Sequence, residues 1–245
     1  MTFLNPSTSE KPINPTTKFL EWKSSKKCFQ YYNKEKKENI EVKLPISFIP
    51  IKNVSSVTGY SDQLNSGIWS NEVEQTGKES LTIFAAKYSK AEDKKKSCVI
   101  AQGFYKDIKG DINSQGGKFT AVLYSILNKE LIKFEFSGCS LSAWIEQGQA
   151  LSQSPNLLSV ETFEEKKKGS NKYFVPVFTS GKKLDEKQYA EAVIAGDSVG
   201  SYFKDMKKYQ AQYTEAQEET SPEQELATEV FSEDAEDEAK GNLPF

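Results

Sequence analysis

A chain of 245 residues, 37% hydrophobic and 12% aromatic, can bury a sizeable core, and it lacks the run of about 18 apolar residues that a spanning helix needs. It has no histidine, and all 32 of its basic residues are lysines. This closes off serine–histidine, cysteine–histidine and histidine–metal chemistry, and the guanidinium forks that read guanine edges. The net charge of −3 hides an asymmetry: residues 211–245 carry 11 acids against one lysine, whereas the first 210 carry 31 lysines against 24 acids.

The opening stretch, residues 1–17, is polar and holds three prolines. It reads as disordered and lacks the charged-then-apolar pattern of a signal peptide. Cys28, Cys98 and Cys139 are isolated, which fits a reducing, cytoplasmic setting better than a disulfide framework. From Lys18 the pattern is that of strands. Segment 18–33 is aromatic-rich, with Ser24-Ser25 marking a hairpin turn, and segment 40–52 is β-branched with two prolines, which suits an edge or a bulge. Segments 80–89, 97–105, 118–127, 131–139, 158–165 and 172–178 also have strand length and composition, with glycine- and lysine-rich connections. Helices come late. A short one is predicted at Ser142–Gln149 and another at Leu184–Ala195. After a break at Gly196-Asp197 a third starts, whose Val199, Tyr202, Phe203 and Met206 repeat at helical spacing. From Glu215 acids replace apolar residues and disorder is expected.

The expected fold is therefore mainly β with C-terminal helices, an α+β chain. An OB-like antiparallel β-barrel over 18–180 is followed by a helical segment over 181–214 and a disordered acidic tail over 215–245.

Segment 22–37 mixes flat rings with ammonium groups: Trp22, Phe29, Tyr31 and Tyr32 lie among Lys26, Lys27 and four other lysines. Strand alternation puts Lys27, Phe29 and Tyr31 on one face and Cys28, Gln30 and Tyr32 on the other. The first face is expected to be a stacking platform for bases and the second to meet the core, although any one of these aromatics also suits a core. In 103–119, Tyr105 and Lys109 are expected to share a strand face with Lys106 between them, followed by a flexible hairpin that leaves Lys118 free for a phosphate. A nucleotide-hydrolysing phosphate loop does not fit, because Gly110 is one position too far from the Gly117-Lys118 pair and Phe119 replaces the Ser or Thr. Trp69, in a loop-like setting, is either a stacking residue or a plug for the barrel. Trp144 reads as core. The lysine runs 94–96 and 166–168 read as solvated hairpin tips. Cysteine spacing argues against zinc, and the Asp107/Asp111 pair lacks the further ligands of a nuclease metal site, so neither cofactor nor metal is expected.

The tail is the sharpest feature. Glu233, Asp234, Glu236, Asp237 and Glu238 precede a small spacer and then Leu243-Pro244-Phe245. A purely solvating tail has no reason to finish in an apolar tripeptide. Here Pro244 stiffens the approach of Phe245 to an apolar pocket while the acids steer it to basic surfaces. This ending resembles the acidic tips of bacterial single-stranded DNA-binding proteins, with Asn242-Leu243 in place of the usual acid and isoleucine. The body is similar to single-stranded DNA-binding proteins of tailed phages of the crAss-like and related Bacteroidetes type. The likeness lies in KFLEWKSSKKCFQYYNKEKKENIEVKLP, IWSNEV, GFYKDIKGDINSQGGKFTAVLY and SLSAWIE, over roughly residues 18–150.

The resemblance implies a non-enzymatic protein of the host cytoplasm that coats single-stranded DNA in phage replication, recombination and repair. Its tail would recruit partner proteins, and no membrane would be involved. The expected DNA contacts are Trp22, Lys26, Lys27, Phe29, Tyr31, Tyr32, Trp69, Tyr105, Lys106, Lys109 and Lys118. The alternatives are an interaction adapter with a β-sandwich body and a nuclease with a carboxylate–metal site.

Overall fold

The structure, a computed structural model, describes residues 12–89 and 94–219, with side chains described for 12–87 and 97–210. The Ser24-Ser25 turn forms as expected. β1 (Phe19–Lys23) and β2 (Cys28–Asn33) make a hairpin closed by Lys27, which adopts φ 57° and whose amide donates to the carbonyl of Lys23 at 2.8 Å. Segment 40–52 is two strands rather than one: β3 (Glu38–Val42) ends before Pro45, and β4 (Ile46–Ser61) begins after it. Next come β5 (Ser66–Ser70), β6 (Leu81–Ser89) and β7 (Lys94–Gly103). Residues 103–119, expected as a strand and a loop, instead form α1 (Tyr105–Ser114), because Ile108 and Ile112, one turn apart, both bury against the sheet. The glycine pair is a helix-to-strand turn, with Gly116 at φ 88°, and not a hairpin.

β8 (Gly117–Leu127) and β9 (Glu130–Phe136) follow. A helical connection of α2 (Cys139–Ala143), a π-helical turn (Trp144–Gly148) and α3 (Gln149–Leu151) seats Trp144 in the core, as read from the sequence. The hairpin of β10 (Asn156–Lys168) and β11 (Asn171–Lys183) precedes α4 (Glu186–Glu219). Asp185 and Gln188 cap α4 reciprocally: Asp185 Oδ1 accepts from the Gln188 amide at 2.8 Å, and Gln188 Oε1 accepts from the Asp185 amide at 3.1 Å. α4 runs unbroken through Gly196-Asp197 and on to Glu219, past both the expected break and the expected onset of disorder. The two helical glycines, Gly196 and Gly200, cost only about 1 kcal/mol each, and burial of Val199 and Phe203 beside them offsets that.

The chain is thus mainly β with a long C-terminal helix. The strands form one open mixed sheet in the order β3-β2-β1-β9-β8-β4-β5-β6-β7; β10 pairs with the start of β4 and carries β11. All described pairings are antiparallel except β1 with β9. β11 is brought back to the β1–β2 hairpin by side-chain bonds in place of a ladder: Trp22 Nε1 donates to Phe174 O at 2.8 Å, and the Phe174 amide donates to Ser24 Oγ at 2.7 Å.

Three apolar clusters hold the layers. The largest lies between β1, β2, β8, β9 and the β10–β11 hairpin and is centred on Phe29, Phe48, Phe134, Phe136 and Trp144. A second sits under α1, and a third packs Val199 and Phe203 of α4 on Val54, Val122 and Tyr124. Asn14 and Thr16, expected in a disordered arm, are ordered here, Thr16 being buried and Asn14 donating to Tyr124 Oη at 3.5 Å. Among the described residues no helix is long and apolar enough to cross a membrane. The tail residues Glu233 to Phe245 lie outside the described residues.

Candidate nucleic-acid interface

Strand alternation and register define one continuous face of the sheet. Starting from β8, Lys118 pairs with Thr58, Thr58 with Trp69, Trp69 with Phe84, and Phe84 with Val99. This row crosses β8, β4, β5, β6 and β7 on the side away from α1. The inward positions Val57, Ile68 and Ile83 alternate with it and pack under α1. The row is uncovered: Trp69 is 39% exposed and Val99 47%. The Trp69 and Phe84 rings lie 6.2 Å apart with planes 19° from parallel. One register step along, a second row holds the pairs Tyr60 (51% exposed)–Gly67 and Ala86–Ser97, with the β5–β6 ladder itself beginning one residue later, at Ile68. The Tyr60 hydroxyl donates to Asn65 Oδ1, which fixes the ring. Thr58 and Thr120 share a hydroxyl–hydroxyl bond of 2.7 Å beside Lys118.

None of the described residues in these two rows carries a carboxylate, and Lys118 makes no ion pair with a described residue. The backbone register continues to the pair Tyr88–Lys95, inside the lysine run 94–96.

The same face looks different at the other end of the sheet. Lys26 bonds Glu41 at 2.7 Å, Lys23 pairs with Glu21, and Lys133 lies between Glu72 (2.7 Å) and Glu135 (3.0 Å). The bond to Glu41 holds the Lys26 ammonium above its ordinary pKa, and the same bond holds the Glu41 carboxyl below its own. Between the two ends α4 covers Val54, Val122 and Tyr124. Burial and the neighbouring Glu72 carboxylate push the Tyr124 hydroxyl far above the usual tyrosine range.

The expected contacts therefore separate. The Lys27/Phe29/Tyr31 face is no stacking platform: Phe29 is fully buried and Tyr31 packs at the margin of the same cluster, while Cys28 and Gln30 of the opposite face are buried as expected. Trp22 is also core. Lys27 lies over the rings of Phe174 (4.1 Å) and Phe163 (4.9 Å), on the β10–β11 hairpin. Lys26 is exposed but paired, and Tyr32 is exposed opposite Asn39 at the far edge. Tyr105 does not lie on a strand. It begins α1, packs on Phe119, and burial pushes its hydroxyl pKa up. Lys106 and Lys109 are exposed on that helix, which covers the opposite side of the sheet from Trp69. Only Trp69 and Lys118 meet on the open face. Asp107 and Asp111 lie on α1, and among the described residues no three potential metal ligands converge.

Sequence reasoning missed Tyr60, Gly67, Phe84 and Val99. A signal was present: in Leu81-Thr82-Ile83-Phe84-Ala85-Ala86 both alternating sets contain large apolar groups, more than one buried face requires. No family model, curated protein or solved structure matches the chain.

Proposed function

We propose that this protein binds single-stranded DNA without sequence preference, through the open face of β4–β8, and that its acidic tail recruits partner proteins. The observation that carries the reading is the exposed Trp69 ring beside half-buried Phe84 towards one end of the sheet, with Tyr60 and Lys118 on the same face and no carboxylate in its rows. Non-specific single-strand binders combine aromatic faces, which accept any base, with lysines that follow the phosphates. The all-lysine composition suits this, because lysine grips a backbone without reading an edge.

The finer fold reading, an OB-like barrel with a helical appendage, draws support from the return of β11 to the β1–β2 turn. The phage replication setting and the host cytoplasm come from the resemblance of residues 18–150 and of the tail tip. No catalytic residue is assigned.

Tryptophan fluorescence tests the reading directly. Trp22 and Trp144 are 7% and 0% exposed, so Trp69 is the one tryptophan a ligand reaches. Titration with oligo-dT should quench emission in a salt-sensitive way, and Trp69→Phe should abolish the signal while retaining most of the affinity. Trp69→Ala should weaken binding by about 5- to 150-fold, the worth of a stack of about 1–3 kcal/mol. Absence of quenching, or quenching retained in Trp69→Phe, would refute the assignment; the former outcome would favour a protein-interaction adapter.

A further inference from the structure

We infer that the middle of the acidic tail, Phe231–Glu236, docks as an added antiparallel strand on the free edge of β7 in the same chain. The sheet order ends at β7, which pairs with β6 alone among the described strands. Such an edge offers a row of unpaired N–H and C=O groups, and folded proteins guard it. β3, at the other end, is guarded by being short and by Glu38 and Glu41. β11 carries Pro176 and is tied to the β1–β2 turn through Trp22 and Ser24. β7 is 10 residues long, holds neither acid nor proline, and leaves Val99 47% exposed. Its guards are a bulge at Ile100 and the run Lys94-Lys95-Lys96 at its start. Lysines turn away a second copy of the same strand, yet they favour an acidic one.

The tail carries the complementary pattern. Between Pro222 and Leu243 its only large apolar residues are Leu226, Val230 and Phe231, and acids follow at Glu233, Asp234 and Glu236. Laid antiparallel to β7 with Phe231 opposite Val99, this segment sets Asp234 opposite Lys96 and Glu236 opposite Lys94. The apolar pair then falls on the face of Trp69 and Phe84, and both opposite-charge pairs fall on the other face. A slip of one residue turns each of these side chains to the wrong face. All three pairs lie on the regular part of β7, before the bulge.

α4 delivers the tail to the correct end of that strand. Gln210 and Ser80 line one cavity, and Ser80 directly precedes Leu81, the partner of Gly103 at the end of β7. From Gln210 to Glu219 α4 advances about 14 Å. From Glu219 to Phe231 an extended chain spans up to about 40 Å, so the segment reaches β7 whichever way the last turns of α4 point. Entering beside Gly103 and proceeding towards Lys94 gives the antiparallel sense that the pairing needs. The tip Leu243-Pro244-Phe245 lies past the docked strand, where a partner protein can take it.

Hydrogen exchange on the full-length protein tests this. The amides of residues 95–99 that do not bond β6 should exchange at least about fivefold faster in Phe231→Pro than in wild type, because proline breaks the added ladder. Asp234→Lys combined with Glu236→Lys should have the same effect through charge alone, and both variants should match wild type elsewhere in the sheet. Wild-type protection should not depend on protein concentration. Equal exchange at 95–99 in wild type and both variants would overturn the dock. Protection that appears only as concentration rises would overturn docking within one chain in favour of a second copy. Oligo-dT binding is read separately, so failure here leaves the single-strand reading standing.

Discussion

Replacing Lys133 with methionine should destabilise the protein by about 3–5 kcal/mol, even though methionine fills a similar volume and is less costly to bury. The Lys133 ammonium lies 2.7 Å from Glu72 and 3.0 Å from Glu135, with side-chain exposures of only 10%, 12% and 17%. Glu72 also accepts from the Tyr124 hydroxyl at 2.5 Å, and Lys133 lies 4.4 Å from the centre of the Phe19 ring. At an effective dielectric near 20, each pair is worth roughly 6 kcal/mol of gross attraction, most of it offset by the several kcal/mol needed to desolvate each ion. Removing the cation alone strands two carboxylates side by side in a nearly dry site, and that residual penalty sets the size of the loss. The triple variant Lys133→Met, Glu72→Gln, Glu135→Gln removes the stranded charges and keeps, at position 72, an amide oxygen able to accept from Tyr124. It should recover to within about 1 kcal/mol of wild type or exceed it. Urea unfolding followed by far-UV circular dichroism measures both. A loss below about 1 kcal/mol in the single variant, or a triple variant no better than the single, would refute the account. The pH dependence has a definite sign. Burial alone would lower the Lys133 pKa, but the two carboxylates outweigh it and raise it above the ordinary value of 10.5. Its contribution is therefore complete below that value and is lost as pH rises through the higher folded one.

Lysines at the two ends of the open face should behave differently. Lys118→Ala should weaken oligo-dT binding and shallow the slope of log affinity against log salt by about 0.7, the share of one single-strand phosphate contact. Lys26→Ala should leave both nearly unchanged, because its ammonium is already engaged by Glu41; equal slopes in the two variants would contradict this. The docking of α4 should weaken in acid. Burial pushes the Glu79 pKa up, but the Lys207 ammonium at 2.7 Å and the backbone amides of Gln75 and Glu74 outweigh it and hold the carboxyl below 4.5. That stability is present above the ordinary glutamate value and disappears as pH falls through the folded one. Melting temperatures of wild type and Glu79→Gln should differ at neutral pH and converge in acid; a constant gap would rule this out.

Local signals were legible in the sequence where local chemistry decides the outcome. Ser24-Ser25 turns the first hairpin, the β10–β11 pair is separated by Gly169, and Val199, Tyr202 and Phe203 mark the buried side of α4. Errors arose where a distant segment casts the deciding vote. Alternation correctly divides Lys27/Phe29/Tyr31 from Cys28/Gln30/Tyr32, yet it cannot say which set faces inward. The aromatic set faces inward because the β10–β11 hairpin, far along the chain, arrives on that side and lays Phe174 against Lys27. Likewise the glycines of 103–119 suggest a loop, but Ile108 and Ile112 find a sheet surface built by β4 to β7 and form a helix on it.

The site itself was hidden for an electrostatic reason. Lysine density looked like the clue, and the densest run lies in 22–37. But the body's 31 lysines share it with 24 acids, and long-range pairing decides which charges stay available. Lys26 meets Glu41, Lys23 meets Glu21 and Lys27 lies over two rings, so three of the six lysines in 22–37 are already engaged within the fold. A surface pair of this kind adds little to stability, yet it removes an ammonium from the supply open to phosphate. What distinguishes the β4–β8 face is therefore a subtraction: large rings left uncovered on strands whose outward positions hold no carboxylate to compete with a polyanion. A sequence scan for basic clusters passes over such a face, whereas one for strands with apolar residues on both sides and no acid on one of them would stop at residues 81–86 and, through the ladder, arrive at Trp69.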